Sequence, residues 1–261
     1  MSTSGFGRSR RGRANRGPIW SERAPGERRP KFTREQIAKV AIEIADREGF
    51  DAVSMRRVAD ELGAGTMTLY HYVRTKQDLM ALMDDEIAAS ILVPQHEMPT
   101  EWRPALHRIA LASYRVFMRH PWALNALRGV RFGPNSMRHV EQSMAAVANA
   151  PFDLQGKLDA LGIVDDYVFG YVTRAAEAGM QEGFHADGRP SRAMIKFADE
   201  MIATGEFPHL ARLLGNESSA VAWDRIARFM NDPARFLRGL DVLLDGLEAR
   251  SHHRIGTLRT K

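Results

Sequence analysis

The sequence predicts an all-α protein, with an N-terminal three-helix domain of helix-turn-helix type and a larger helical domain behind it. Two observations carry this. Apolar residues recur at i, i+3, i+4 and i+7 through most of the chain, the period of one helix face, and no strand-type alternation of useful length interrupts them. Proline and glycine then cut the pattern into segments, because proline cannot continue a helix and glycine readily ends one.

The first helix opens at Thr33-Arg34-Glu35-Gln36, which has the form of a capping box, with Thr33 as N-cap and Gln36 reaching back from the third helical position. Phe32 and Ile37 occupy the staple positions around it. Ile37, Val40, Ala41, Ile44 and Ala45 form an apolar stripe, and Gly49 ends the helix. Residues 54–76, SMRRVADELGAGTMTLYHYVRTK, read as two short helices around a glycine turn. Ser54 is the N-cap of the first. Met55, Val58, Ala59 and Leu62 supply its buried face, while Arg56 and Arg57 fall near its start, partly on the outer side. Gly63 stops this helix and Gly65 gives the next one a tight entry. Leu69 and Val73 turn back to the core, which leaves Thr66, Met67, Thr68, Tyr70 and His71 facing outward, suited to phosphates and base edges. The spacing alone also fits an ordinary helical hairpin; the capped helix before it supplies the third member that a helix-turn-helix domain requires.

Beyond this head, a linker helix is expected over 76–92, ending at Val93-Pro94. Helices follow at 102–119, with Pro104 tolerated in the first turn, at 121–129, 134–149, 153–182 (the longest), 191–204 and 220–229, with a short turn near Leu210. Asp232-Pro233 restarts the chain as N-cap and first helical residue of a helix running to about Arg250.

Charge is unevenly placed. The net charge is +5, yet residues 1–30 alone hold eight arginines and two glutamates, +6, so the remainder carries −1. This Arg-, Gly-, Ser- and Pro-rich stretch is expected to be disordered when free. It serves either as an arm on the DNA backbone or minor groove or as a solubilising tail. The predicted organisation is a basic arm at 1–30, the head at 31–78, the body at 79–250 and a polar tail at 251–261. No apolar run of about 18 residues calls for a membrane span. The N-terminus lacks the apolar core of a signal peptide. Cysteine is absent, which excludes disulfides, thiol catalysis and cysteine zinc sites. A cytoplasmic protein is the expectation.

Residues 33–80 resemble the DNA-binding domain of the tetracycline-repressor (TetR) family of transcription regulators. The resemblance is carried by IAKVAIEIADREGFDAVSMRRVA at 37–59, by Leu62-Gly63, by TLYHYV at 68–73, and by Lys76 with Leu79. FLRGLDVLLDGL at 236–247 and EFPHL at 206–210 resemble the C-terminal domain of the tetracycline-repressor-like branch, whereas 95–200 is similar in pattern alone. The resemblance implies a dimer whose two heads read a palindromic double-stranded operator, and a body that binds a small, largely apolar effector. It implies a base contact for Arg56 and phosphate contacts for Ser54, Tyr70, His71 and Lys76. With Met55, Thr66, Met67 and Thr68 these make up the expected DNA-binding set.

In the body, Tyr114, Phe117, Trp122, Asn125, Tyr167, Phe169 and Tyr171 are the candidates for an effector pocket, an apolar cavity with a few placed polar groups; aromatic residues on buried helices also serve simply as core. Leu158, Leu161 and Val168 on one helix, and Phe236, Leu240, Leu243 and Leu247 on another, form apolar stripes that fit either a monomer core or a dimer bundle, and the resemblance favours the bundle. No cofactor or metal site is expected: His107, His120 and His139 read as surface or satisfied core histidines, and His252-His253 lies in a polar tail without a carboxylate partner at ligand spacing. No enzyme motif is found, and Asp165 and Asp166, adjacent on a helix, point about 100° apart. An architectural DNA-binding protein, or an activator of the same family, is the alternative reading.

Overall fold

The computed structural model describes residues 19–21, 31–126, 133–177, 182–185, 187–230 and 232–258. Among these the regular elements are helical, and an isolated bridge between Phe184 and Pro190 takes the place of any strand. The helices are α1 (Arg34–Glu48), α2 (Met55–Glu61), α3 (Thr66–Tyr72), α4 (Lys76–Ile91), α5 (Trp102–Arg119), α6 (Ala123–Ala126), α7 (Pro134–Ala146), α8 (Leu154–Glu177), α9 (Arg192–Ala203), α10 (Pro208–Leu214), α11 (Ser219–Met230) and α12 (Ala234–Leu258). The chain forms two compact units. One takes the described residues up to Ser90 together with Asn125–Val140; the other takes Ile91–Leu124 and the described residues from Glu141 onward.

In the first unit the capping box forms as expected. Gln36 N donates to Thr33 Oγ1 at 3.1 Å and Thr33 N donates to Gln36 Oε1 at 2.8 Å. Gly49 ends α1 at φ 87°, a conformation that only glycine adopts without strain. Ile37, Ile44, Val53, Val58, Leu69 and Val73 are fully buried and tie α1, α2 and α3 into one small core. Each contributes about 1.5–3 kcal/mol by leaving water. The unit extends beyond the expected head, taking in α4 as far as Ser90 and the start of α7. Asp85, 7% exposed, explains why. Its carboxylate accepts from the backbone N–H groups of Asn135 (2.7 Å) and Ser136 (3.2 Å) and from Asn135 Nδ2 (3.0 Å), so it caps the N-terminus of α7 from another helix.

Part of the expected arm is ordered. Ile19–Ser21 makes one 3-10 turn, Ile19 is buried, and its carbonyl accepts from Arg34 Nη1 at 2.7 Å. An apolar pair, Ile19-Trp20, inside a basic stretch is what makes this possible. The arginines of the arm lie outside the described residues.

The second unit is built on α5, α8 and α12, which pack on one another around Trp102, Leu106, Ile109, Val164, Val168, Val172, Phe236, Leu240 and Leu244. Arg103 on α5 bridges Asp245 (2.5 Å) and Glu248 (3.0 Å) on α12. Helices α9, α10 and α11 pack on one another. Most predicted elements lie where expected, and α5 coincides with 102–119. Two differ. The turn near Leu210 is a seven-residue helix, α10, with Pro208 in its first turn. α12 starts one residue late, because Asp232 Oδ1 accepts from Ala234 N at 2.9 Å and holds Pro233 in the preceding turn; it then runs past Arg250 to Leu258. α8 is described from Leu154 to Glu177; residues 178–181 of the expected helix at 153–182 lie outside the described residues.

Candidate nucleic-acid interface

Ser54 Oγ accepts from Arg57 N at 3.1 Å and starts α2. The turn closes on Gly63, at φ 62°, while Ala64 N donates to Ala59 O at 2.9 Å. Gly65 is the N-cap of α3. The inner face of α3 is fastened by Leu69, Tyr72 and Val73, all buried. Tyr72 also accepts from Lys31 N at 3.1 Å through its hydroxyl and meets the Phe32 ring edge-on at 6.2 Å. This leaves Met67, Tyr70 and His71 exposed and Thr66 and Thr68 half-buried on the outer face. A helix held rigidly by one side with polar and aromatic groups on the other is what insertion into a major groove needs.

The two arginines of α2 have different tasks. Arg57 is tied down: its Nη2 and Nε meet the carboxylate of Glu48 at 2.7 and 3.1 Å, and its Nη1 meets Glu61 Oε2 at 2.6 Å. Arg47 joins the same two carboxylates at 2.8 and 3.2 Å. The hydrogen bond from Arg57, assisted by Arg47, holds the Glu48 carboxyl down at about 2. The Arg56 side chain, by contrast, is 86% exposed, with Asp60 at 3.9 Å, one turn on. Sequence spacing places both near the outer face; only the neighbouring Glu48 and Glu61 separate them.

Of the other expected contacts, Ser54 is exposed at the edge of the face. Lys76 begins α4, exposed, with its ammonium 5.7 Å from the centre of the Phe50 ring. Met55 is a correction. It is 8% exposed, because the first residue of α2 turns inward to the head core, so its side chain is not part of the outer face. Lys31 escaped the sequence reading. Its ammonium lies 3.5 Å from Gly63 O, at the turn of the motif. Its place just before the capping box was the available signal.

In the second unit, Tyr114, Tyr167 and Tyr171 come together around Phe236. Tyr114 stacks on it at 4.0 Å, Tyr167 lies at 5.4 Å and Tyr171 meets it edge-on at 5.3 Å, while the Tyr167 hydroxyl donates to Phe236 O at 2.9 Å. Burial pushes the Tyr114 and Tyr167 hydroxyls above their ordinary pKa. Tyr167 and Tyr171 also line an open groove of about 510 Å³ that includes Phe229, Arg174 and Arg235. The two guanidinium groups sit 5.3 and 5.6 Å from the Tyr171 ring. Phe117 and Phe169 form a separate edge-on pair at 5.4 Å, and Trp122 meets His120 at 6.2 Å. Asn125 is exposed and belongs to the first unit.

The expected interface stripes need correcting too. Val168, Phe236 and Leu240 have 0–1% exposure within a single chain; they are core, with no surface left to give a partner. Leu161, Leu243 and Leu247 are half-buried against the same core. Leu158 is exposed, as are Leu154, Ile163 and Val242. Among the described residues no helix is long and apolar enough to cross a membrane.

Comparison with known proteins agrees with this architecture. Residues 37–83 match the family model "Bacterial regulatory proteins, tetR family", and residues 94–251 match "Tetracyclin repressor-like, C-terminal domain". The HTH-type transcriptional repressor DrrR1 of Streptomyces coeruleorubidus is 32% identical over 233 residues, covering 87% of this chain and 82% of the relative. Apo ActR from Streptomyces coelicolor superposes with a TM-score of 0.60 at 23% identity, over 87% of this chain and 100% of ActR. ActR in complex with actinorhodin does so with a TM-score of 0.59 at 23% identity, over 84% and 96%. At that identity the structural likeness is one of fold.

Proposed function

The chain belongs to the tetracycline-repressor family of bacterial transcription regulators, and on that premise we propose that it is a homodimeric repressor, bound to a palindromic operator and released from it by a small, largely apolar effector. As a family member it is a DNA-binding transcription factor and not an enzyme. The observation that carries the operator reading is the exposure of Arg56 on α2 and of Met67, Tyr70 and His71 on α3, in a head whose core residues are fully buried. One such face covers few base pairs, so two heads on one dimer supply the length of site that specificity requires. Exposed Leu154, Leu158 and Ile163 on α8 and Val242 on α12 support subunit contact through these helices.

For the effector, the aromatic side chains of α5 and α8 support a planar, largely apolar ligand, and ActR, of the same fold, has been crystallised with actinorhodin. Such a ligand releases DNA only if it binds the non-DNA conformation more tightly; equal affinity for both states shifts nothing. We assign the lever to α4, one unbroken helix from Lys76 to Ile91, and place the protein in the cytoplasm with its DNA. The arginines of the basic stretch at residues 1–30 act as an arm that adds phosphate contacts.

The test is selection from random duplexes with the full-length protein, followed by a screen of planar aromatic compounds for release. An inverted repeat with compound-dependent dissociation is expected. Near-equal affinity for arbitrary duplexes would instead favour an architectural role, and a reporter gene switched on by the bound protein would make it an activator.

A further inference from the structure

One side chain on the outer face of α3 does not suit a purely polar reading surface. Met67, the second residue of the helix, is 74% exposed, more than any other large apolar side chain among the described residues. The inner side of α3 is already occupied by Leu69, Tyr72 and Val73, and the outer neighbours of Met67 are hydroxyl, phenol and imidazole groups that hydrogen-bond. A thioether carries no donor and is a weak acceptor. It therefore makes no good hydrogen bond to the polar atoms along the edge of a base pair. The major groove displays one apolar group, the C5 methyl of thymine. The N-terminal residues of a recognition helix are the ones that face base edges.

We propose that Met67 determines specificity by covering a thymine methyl, so that each operator half-site holds one thymine read through its methyl rather than through hydrogen bonds. This rests on the reading that α3 enters the major groove. The flexible Met side chain loses rotamer freedom on contact, so the gain is modest. Removing the methyl is expected to weaken binding about three- to fivefold, the size of one methyl returned to water.

The experiment uses the full-length protein and the operator obtained by selection. Each thymine of a half-site is replaced singly by deoxyuridine, which deletes the methyl and keeps every hydrogen-bonding group. One symmetric position should weaken the wild-type protein about three- to fivefold. At that position Met67→Ala should bind the thymine and uracil duplexes equally, whereas Met67→Leu, still apolar, should keep the preference. Uracil tolerance at every position, or an unchanged thymine preference in Met67→Ala, overturns the proposal. If selection enriches no operator at all, the groove reading itself fails and takes the proposal with it.

Discussion

In the first unit the faces of the short helices divide labour cleanly; in the second the same apolar periodicity serves one large core. On α3, Leu69 and Tyr72 are buried while Met67 and Tyr70 face outward, all within a seven-residue helix. On α8 and α12 a long stripe that could serve either core or interface turns out to be mostly core: Val164, Val168, Val172, Phe236, Leu240 and Leu244 pack together within one chain. A short helix that must present a surface to DNA has one side to spare. A long helix in a body of this size buries most of its apolar residues at home, and what remains for a partner is the fringe, such as Leu158 and Val242.

The largest expected effect tests that division. Phe236→Ala should cost about 3–5 kcal/mol of folding stability, because it empties a fully buried aromatic site with three tyrosines around it. Leu158→Asp should leave the fold of each chain intact and instead raise the dimer dissociation constant. Chemical denaturation and sedimentation on both variants decide it. The comparison breaks if Phe236→Ala dissociates a still-folded chain, or if Leu158→Asp unfolds it.

Next is the pair on α2. Arg56→Ala should remove about 1–3 kcal/mol of discrimination at one position of each half-site, the contribution of an arginine bidentate to guanine. Arg57→Ala should leave base preference unchanged, since its guanidinium is committed to Glu48 and Glu61. Binding-site selection repeated with each variant checks both, and a relaxed position in Arg57→Ala would reverse their roles.

How far this was legible in the sequence depends on the range of the signal. Thr33, Gln36, Gly49, Ser54 and Gly63 act within a turn of their own position, and their caps and stops form as the sequence predicts. The fold class and the outer face of α3 follow from such local chemistry. Met55 has two places in the sequence reading, the buried face by helical spacing and the DNA-binding set beside Ser54 and Arg56; its burial agrees with the spacing. Asp85 capping α7 from α4 spans 50 residues, and Ile19 under Arg34 depends on a turn within a polar stretch; no periodicity encodes either. The division between Arg56 and Arg57 depends on Glu48, on the preceding helix.

A smaller effect follows from that cluster. The pKa of Glu48 is lowered in the folded chain to about 2 from its ordinary 4.5. A depressed carboxylate pKa contributes stability that is present above the unfolded value and is lost as pH falls toward the folded one. Wild-type stability should therefore decline between pH 4.5 and about 2 more steeply than that of Arg57→Ala, which lacks the principal donor. The group is exposed to solvent, so the difference should shrink in high salt. Parallel pH profiles of the melting temperature would show that the cluster contributes nothing measurable.

The smallest effect belongs to Lys76, which sharpens the contrast between positioning and reading. It is the first residue of α4 and exposed. A positive charge at a helix N-terminus opposes the helix dipole, so Lys76 is not there for the sake of the helix. A phosphate nearby would reverse the sign, being attracted to both the ammonium and the helix end. Lys76→Ala should therefore leave the melting temperature unchanged or slightly raised. It should weaken binding to all duplexes alike and lower the salt dependence of affinity by about one ion per subunit. The measurement is a salt titration on the selected operator and on an unrelated duplex of equal length. A shift in base preference with an unaltered salt slope would move Lys76 from positioning to reading, and would erase the separation between Arg56 and the rest of the face.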